Sequence, residues 1–170
     1  MKTPMPVDVR LEPLDRAGRE LLRGWLRRPT VSRWWGDPAD SFAAVTRQPA
    51  SDQALISVAG LPVGYLLWRR LDPAEVAEAG LADLPSDHMD LDILIGEPEW
   101  MGRGVGPMAL QMILARLGAE GCSSVGVGTD LANARAVRAF EKAGFRQFRQ
   151  FEENGRAICY LIREPASGVQ

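Results

Sequence analysis

Apolar and polar residues alternate along Val7-Asp8-Val9-Arg10-Leu11, the period of a half-buried strand. The period then changes. Leu21, Leu22, Trp25 and Leu26 recur at helical spacing behind Asp15, a good N-cap residue. A helix is expected to reach about Arg27 and to end at Pro29. Val31–Pro38 reads as a turn-rich segment, and Ser41–Arg47 as a short helix. Ala54–Val58 and Val63–Arg70 flank Ala59-Gly60-Leu61-Pro62 and predict a hairpin. Leu71–Met89 is a connection, partly helical around Glu75–Leu81. Asp90–Ile95 predicts a central strand, Pro107–Leu117 a helix and Ser124–Val127 another strand. Ala134–Ala143 predicts a helix closed by Gly144. Phe145–Phe151 and Ala157–Arg163 pair as a hairpin across Glu153-Asn154-Gly155. Alternating strands and helices imply an α/β (α+β) fold with a mostly antiparallel sheet. One domain is expected over residues 1–164, with a flexible tail over 165–170.

Composition narrows the class. No apolar run of 18 residues suggests a membrane span, and MKTPMPVDVRLEPL lacks the apolar core of a signal peptide. A cytoplasmic protein is expected, as a monomer or homodimer. Cys122 and Cys159 lack metal-ligand spacing and read as buried free thiols, and His88 is the single histidine, so no metal is expected. The net charge of −2 conceals an asymmetry. Nine acids lie between Asp72 and Glu99, among them Asp83, Asp87, Asp90 and Asp92, and that stretch has no Lys or Arg. Nucleic acid would select a basic surface, whereas an acidic stretch suits a cationic small molecule.

The strand-like Leu91-Asp92-Ile93-Leu94-Ile95 precedes Trp100-Met101-Gly102-Arg103-Gly104-Val105-Gly106 and a helix from about Pro107. A turn of this kind presents free N–H groups at a helix N-terminus, where the dipole favours an anion. Gly102, Gly104 and Gly106 carry no side chain to hold a pyrophosphate off the backbone. The P-loop string is absent, and the turn comes too late in the chain for a dinucleotide fold.

One strand further on stands Asn133-Ala134-Arg135-Ala136-Val137-Arg138-Ala139-Phe140-Glu141-Lys142-Ala143-Gly144-Phe145. With the glycine turn, it resembles the acyl-CoA site of the GNAT superfamily of N-acetyltransferases. That resemblance implies a sheet splayed at the central strand and acetyl-CoA as cosubstrate. It assigns to the cofactor Ile93, Leu94 and Ile95, the turn Met101, Gly102, Arg103, Gly104, Val105, Gly106 and Pro107, and then Asn133, Ala136, Phe140 and Lys142. Further pieces resemble the aminoglycoside 6′-N-acetyltransferases: Trp25-Leu26, Arg33-Trp34-Trp35-Gly36, Gly64-Tyr65, Asp90-Leu91-Asp92 and Cys159-Tyr160-Leu161. An aminoglycoside acceptor is implied, with Trp34, Trp35, Tyr65, Asp83, Asp87 and Asp90 on its side of the site. Two positions depart from the family pattern. Met101 stands where many members have Arg or Gln, and Phe140 where many have Tyr. Phe140 has no hydroxyl to protonate the departing thiolate, so Tyr160 inherits that role from the nearest branch.

Amine acetylation needs a neutral amine, and Asp92 is the expected base. Residues two apart on a strand share a face, so Asp90, Asp92 and Leu94 line up, and neighbouring carboxylates raise one another's pKa. Trp34 and Trp35 offer aromatic faces to a sugar or a cation. Arg103 and Lys142 are candidates for CoA phosphates, and Asn133 for a helix cap that also meets the pantetheine arm. The alternatives are a GNAT enzyme acting on a protein N-terminus, a lysine or a siderophore-type amine, and an acyl-CoA-binding module without catalysis.

Overall fold

The computed structural model describes residues 7–165. Its elements run β1 (Val9–Glu12), α1 (Arg16–Arg27), α2 (Pro29–Trp35), α3 (Pro38–Thr46), β2 (Gln53–Val58), β3 (Leu61–Arg69), α4 (Pro73–Glu78), β4 (Met89–Ile95), α5 (Val105–Ala119), β5 (Val125–Asp130), α6 (Ala134–Lys142), β6 (Arg146–Glu153) and β7 (Arg156–Arg163). The seven strands are ordered β1-β2-β3-β4-β5-β7-β6, in a mixed, mostly antiparallel sheet as expected.

Local chemistry sets most boundaries. Asp15 caps α1 by accepting from the Gly18 N–H at 2.7 Å. Pro29 ends α1 but also opens α2, since its fixed φ suits the first helical turn. The turn-rich reading of Val31–Pro38 is therefore corrected: Pro29–Trp35 is helical, and Asp37 then caps α3. Leu21 is corrected too. It is 40% exposed, while Leu22, Trp25 and Leu26 form the buried face. Asp72 and Glu75 make a reciprocal capping box on α4. Both hairpins turn on two consecutive residues with positive φ, Ala59-Gly60 and Asn154-Gly155, which match the right-handed twist of their strands.

The chain forms two compact units, one from the residues up to Leu66 plus Ile93–Ala109, the other from Leu67–Asp92 plus the residues from Leu110. In the first, β1 pairs antiparallel with β2, from Val9↔Val58 to Glu12↔Leu55. Trp25 of α1 is buried against Gly96, and its Nε1–H donates to Glu97 at 2.8 Å. A Cβ on Gly96 would enter the indole ring. Gly96→Ala is therefore expected to destabilise by about 1–3 kcal/mol through overpacking. Urea unfolding checks this, with a lower midpoint and an unchanged slope.

In the second unit, β4 and β5 run parallel at Met89↔Val125, Asp90↔Gly126 and Leu91↔Val127. Strand β5 continues to Asp130 in register with β7, which pairs with β6 on its other side. Leu81, Tyr160 and Ile162 form a buried cluster, with Val76, Leu84, Phe148 and Phe151 packed against it. Pro165, the first residue of the expected tail, is buried. The rest of that tail lies outside the described residues, as do residues 1–6 of the segment compared with a signal peptide.

Candidate active site

In the first unit, the segment 101–104 is a turn, and α5 begins at Val105, two residues before the expected start. Gly102 and Gly104 have φ of 71° and 82°, the left-handed region that a glycine enters without strain. The Gly104 carbonyl accepts the first helical bond, from the Met108 N–H at 3.1 Å. The N–H groups of Val105 and Gly106 thus belong to the helix's unpaired first turn. Gly102, Arg103 and Gly104 are exposed, and a Cβ on Gly104 or Gly106 would meet nothing within 4 Å. Arg103 lies 5.5 Å over the Trp100 ring. Ile93, Leu94 and Ile95 complete β4, and Gly64 of β3 sits close against the Leu94 carbonyl, where a side chain would clash. Trp34 and Trp35 are half-buried, with Arg33 over Trp34 and the Trp35 ring edge-on to Tyr65 at 6.4 Å. Tyr65 is fully buried and donates its hydroxyl to Gln53 at 2.8 Å. It supports Trp35 from within and presents no open face of its own.

The second unit gathers the titratable groups. Asp90 is 8% exposed and accepts from the Tyr160 hydroxyl at 2.9 Å. Burial, then the neighbouring Asp92, raise its pKa well above the carboxylate range, while Tyr160 and Arg69 oppose. Asp92 is raised as well, by burial first, against the pull of Arg69. Arg69 is held in a bidentate pair with Glu75, both bonds 2.8 Å. Tyr160 is 3% exposed, and its hydroxyl also meets His88 Nε2 at 2.8 Å. Its ring lies against Gly126, where any Cβ would collide. Its phenol pKa is raised, by burial and then by Asp90, so the hydroxyl stays protonated and engaged inside this unit.

Asn133 caps α6 by accepting from the Ala136 N–H at 3.2 Å. Phe140 is buried edge-on to Phe145, and Lys142 is exposed in the last turn. Asp83 and Asp87, expected to face an acceptor, have partners within the chain. Asp83 pairs with Arg149 at 2.9 and 3.1 Å, and Asp87 accepts from the Ser123 N–H and hydroxyl. Cys159 is buried and Cys122 half-buried, both as free thiols.

Sequence reasoning misses His88 and Ser124 as members of this cluster. His88 Nδ1 meets Ser124 Oγ at 2.8 Å, and both residues are buried. A signal is present, because His88, Asp90 and Asp92 repeat at the strand period of two. Burial lowers the His88 pKa from 6.5 to about 4, with Asp87 opposing. Between these values the unfolded chain binds a proton that the folded chain refuses. His88 therefore makes stability fall as pH drops from about 6.5 to about 4. Asp90 and Asp92, with raised values, contribute the opposite slope, losing stability as pH rises above 3.8. His88→Gln should flatten the acid side of a plot of Tm against pH relative to the parent.

The Acetyltransferase (GNAT) domain family matches residues 16–153, and the chain belongs to that family. It is an N-acetyltransferase by that membership. Solved structures share the fold. The aminoglycoside acetyltransferase AAC(6')-Ib, in complex with ribostamycin and coenzyme A, is 18% identical with a TM-score of 0.75, covering 92% of this chain and 93% of its own. The aminoglycoside N(6')acetyltransferase from Legionella pneumophila is 17% identical with a TM-score of 0.74, covering 95% and 94%. A domain from Methanocaldococcus jannaschii is 16% identical with a TM-score of 0.73, covering 93% and 99%. A search of curated protein sequences finds no significant match. Among the described residues no helix is long and apolar enough to cross a membrane, and no group of three His, Cys, Asp or Glu could hold a metal.

Proposed function

We propose that this acetyltransferase moves the acetyl group of acetyl-CoA to an amine of an aminoglycoside, by direct attack with Asp92 as base. The observation that carries the reading is the Asp90–Asp92 pair on β4, two carboxylates one strand period apart whose pKa values are both raised, by burial first. A base tuned upward toward the operating pH accepts an ammonium proton more readily than an ordinary Asp. The CoA pyrophosphate rests on the N–H groups from Gly102 to Gly106, and Asn133, Ala136 and Lys142 serve the rest of the cofactor. Backbone N–H groups of β4 stabilise the tetrahedral oxyanion, and the amine's second proton goes to the CoA thiolate. Trp34 and Trp35 offer their faces to the sugar. Structures of AAC(6')-Ib with kanamycin and with ribostamycin support the acceptor class by fold likeness.

A second reading, acetylation of a peptide or another small amine, is favoured by the charge partners of the acidic stretch. Glu75, Asp83 and Glu97 are each paired with an Arg, which lowers the pull on a polycation. Thiol release from acetyl-CoA over a panel of amines separates the readings. Turnover is expected with kanamycin-type sugars; turnover confined to peptides selects the second. KM for kanamycin should also rise with added salt more than KM for acetyl-CoA. Exposed charges are screened over about 8 Å at physiological ionic strength, and a flat salt response would remove the electrostatic basis of the acceptor assignment.

A further inference from the structure

Arg69 is the last residue of β3, and Asp90 and Asp92 stand on the neighbouring strand β4. The Gly96 N–H, just past the end of β4, donates to the Val63 carbonyl near the start of β3 at 2.8 Å. The two strands therefore run in opposite directions, and the end of β3 lies beside the start of β4. A half-buried cation is thus set next to two carboxylates that share one strand face. Attraction at that range favours an ion pair between them. Arg69 nevertheless directs both terminal nitrogens at Glu75 of α4, in two bonds of 2.8 Å. Glu75 is itself held from a second side. Its Oε2 also accepts from the Asp72 N–H, and the Asp72 side chain accepts from the Glu75 N–H, both at 2.9 Å. The capping box of α4 thus anchors the carboxylate that grips the guanidinium.

We propose that Glu75 is a positioning residue for the base, holding the Arg69 guanidinium away from Asp92 so that the Asp92 oxygens stay open to the acceptor amine. The proposal rests on the acetyltransferase reading with Asp92 as base. A guanidinium paired with Asp92 would do two things. It would occupy the oxygens that receive the ammonium proton, and it would keep the carboxylate ionised to lower pH, as a weaker base. Held by Glu75, Arg69 still acts on Asp92 through space, and burial outweighs it. Asp90 on the same strand, Glu75 on α4, Glu153 on β6 and Tyr160 on β7 complete the titratable set around Asp92. On β5, Gly126 stands opposite Asp90 and brings no charge. Of this set Arg69 is the cation, so where its guanidinium points decides how strongly Asp92 binds a proton.

The test uses the full chain. Glu75→Gln removes the charge and keeps the cap, since glutamine serves the same capping box. Released from its ion pair, Arg69 is expected to turn to Asp92. The base must be ionised to act, so a lowered Asp92 pKa carries activity further down in pH. The acid limb of kcat/KM against pH should move down by about one pH unit, the low end of what an adjacent cation does to a carboxylate. On the plateau kcat should fall about tenfold, part of the roughly 10²- to 10⁴-fold that a positioned base contributes, with KM for acetyl-CoA held. Arg69→Gln removes the cation and should move the limb to higher pH. The double variant Glu75→Gln with Arg69→Gln should lie close to Arg69→Gln alone, because Glu75 acts through Arg69. An unmoved limb in folded Glu75→Gln would overturn the proposal. So would a displacement by Glu75→Gln of the same size with and without Arg69.

A second measurement needs no turnover: the side-chain carboxyl carbon shift of Asp92, followed by NMR across pH. Its midpoint should fall in Glu75→Gln and rise in Arg69→Gln. Midpoints equal to the parent's in both variants would overturn the proposal even in an active enzyme. Midpoints that move as expected, in a protein that releases no thiol from acetyl-CoA with any amine, would uphold the restraint of Arg69 by Glu75 and remove the acetyltransferase reading instead.

Discussion

Asp92→Asn lowers kcat/KM for acetyl transfer by about 10²- to 10⁴-fold at neutral pH, the range that a positioned general base contributes. Asn keeps the shape of the side chain and removes the proton acceptor. The deficit shrinks as pH rises, because a larger fraction of the amine arrives neutral and needs no base. The effect belongs mainly to kcat, as the lost interaction is made in the transition state. The charge of Asp92 raises Asp90, so the pH profile of the parent reports the pair rather than either residue. Near-parental activity in Asp92→Asn would move the base to Asp90, which stands two residues away and has the direct bond to Tyr160. A pH–rate profile of the purified variant is the measurement.

Gly104→Val is the variant expected to act most strongly on the cofactor. Gly104 has a φ of 82°, which a β-branched residue reaches only with strain. A Cβ there meets nothing within 4 Å, so the chain should fold around the substitution. The strain is relieved by reshaping the turn, and the N–H groups at the start of α5 lose their common aim. CoA affinity is expected to fall by at least about tenfold, or 1.4 kcal/mol, with Tm little changed. Calorimetric titration with CoA checks the first part and thermal unfolding the second. Unchanged affinity in a folded Gly104→Val would place the pyrophosphate elsewhere.

The strands and most helices were legible because periodicity and caps are local. Asp15 before α1, Asn133 before α6 and the Asn154-Gly155 turn each act on residues within a few positions. Pro29 misled for the same local reason: proline both ends a helix and begins one, and only packing decides whether the next turn forms. The glycine turn was legible, since positive φ at Gly102 and Gly104 leaves few other residues. Long-range partners were not. Asp83 and Arg149 are distant in sequence, and no charge count indicates that they meet. Tyr160 was singled out from resemblance, but its bonds to Asp90 and His88 depend on the β4–β5–β7 order. Gly126 shows the limit plainly. A strand glycine looks unremarkable until Tyr160 is found lying over it.

Acetyl transfer from acetyl-CoA to an amine of a polycationic sugar, as proposed for this family member, is read most plainly on the sugar itself. The most direct measurement is the mass of kanamycin after incubation with the protein and acetyl-CoA, alongside a reaction without protein. Kanamycin is expected to gain one acetyl group, with free CoA thiol released in equal amount. Unmodified kanamycin, in a sample where CoA binds and a peptide amine is acetylated, would contradict it.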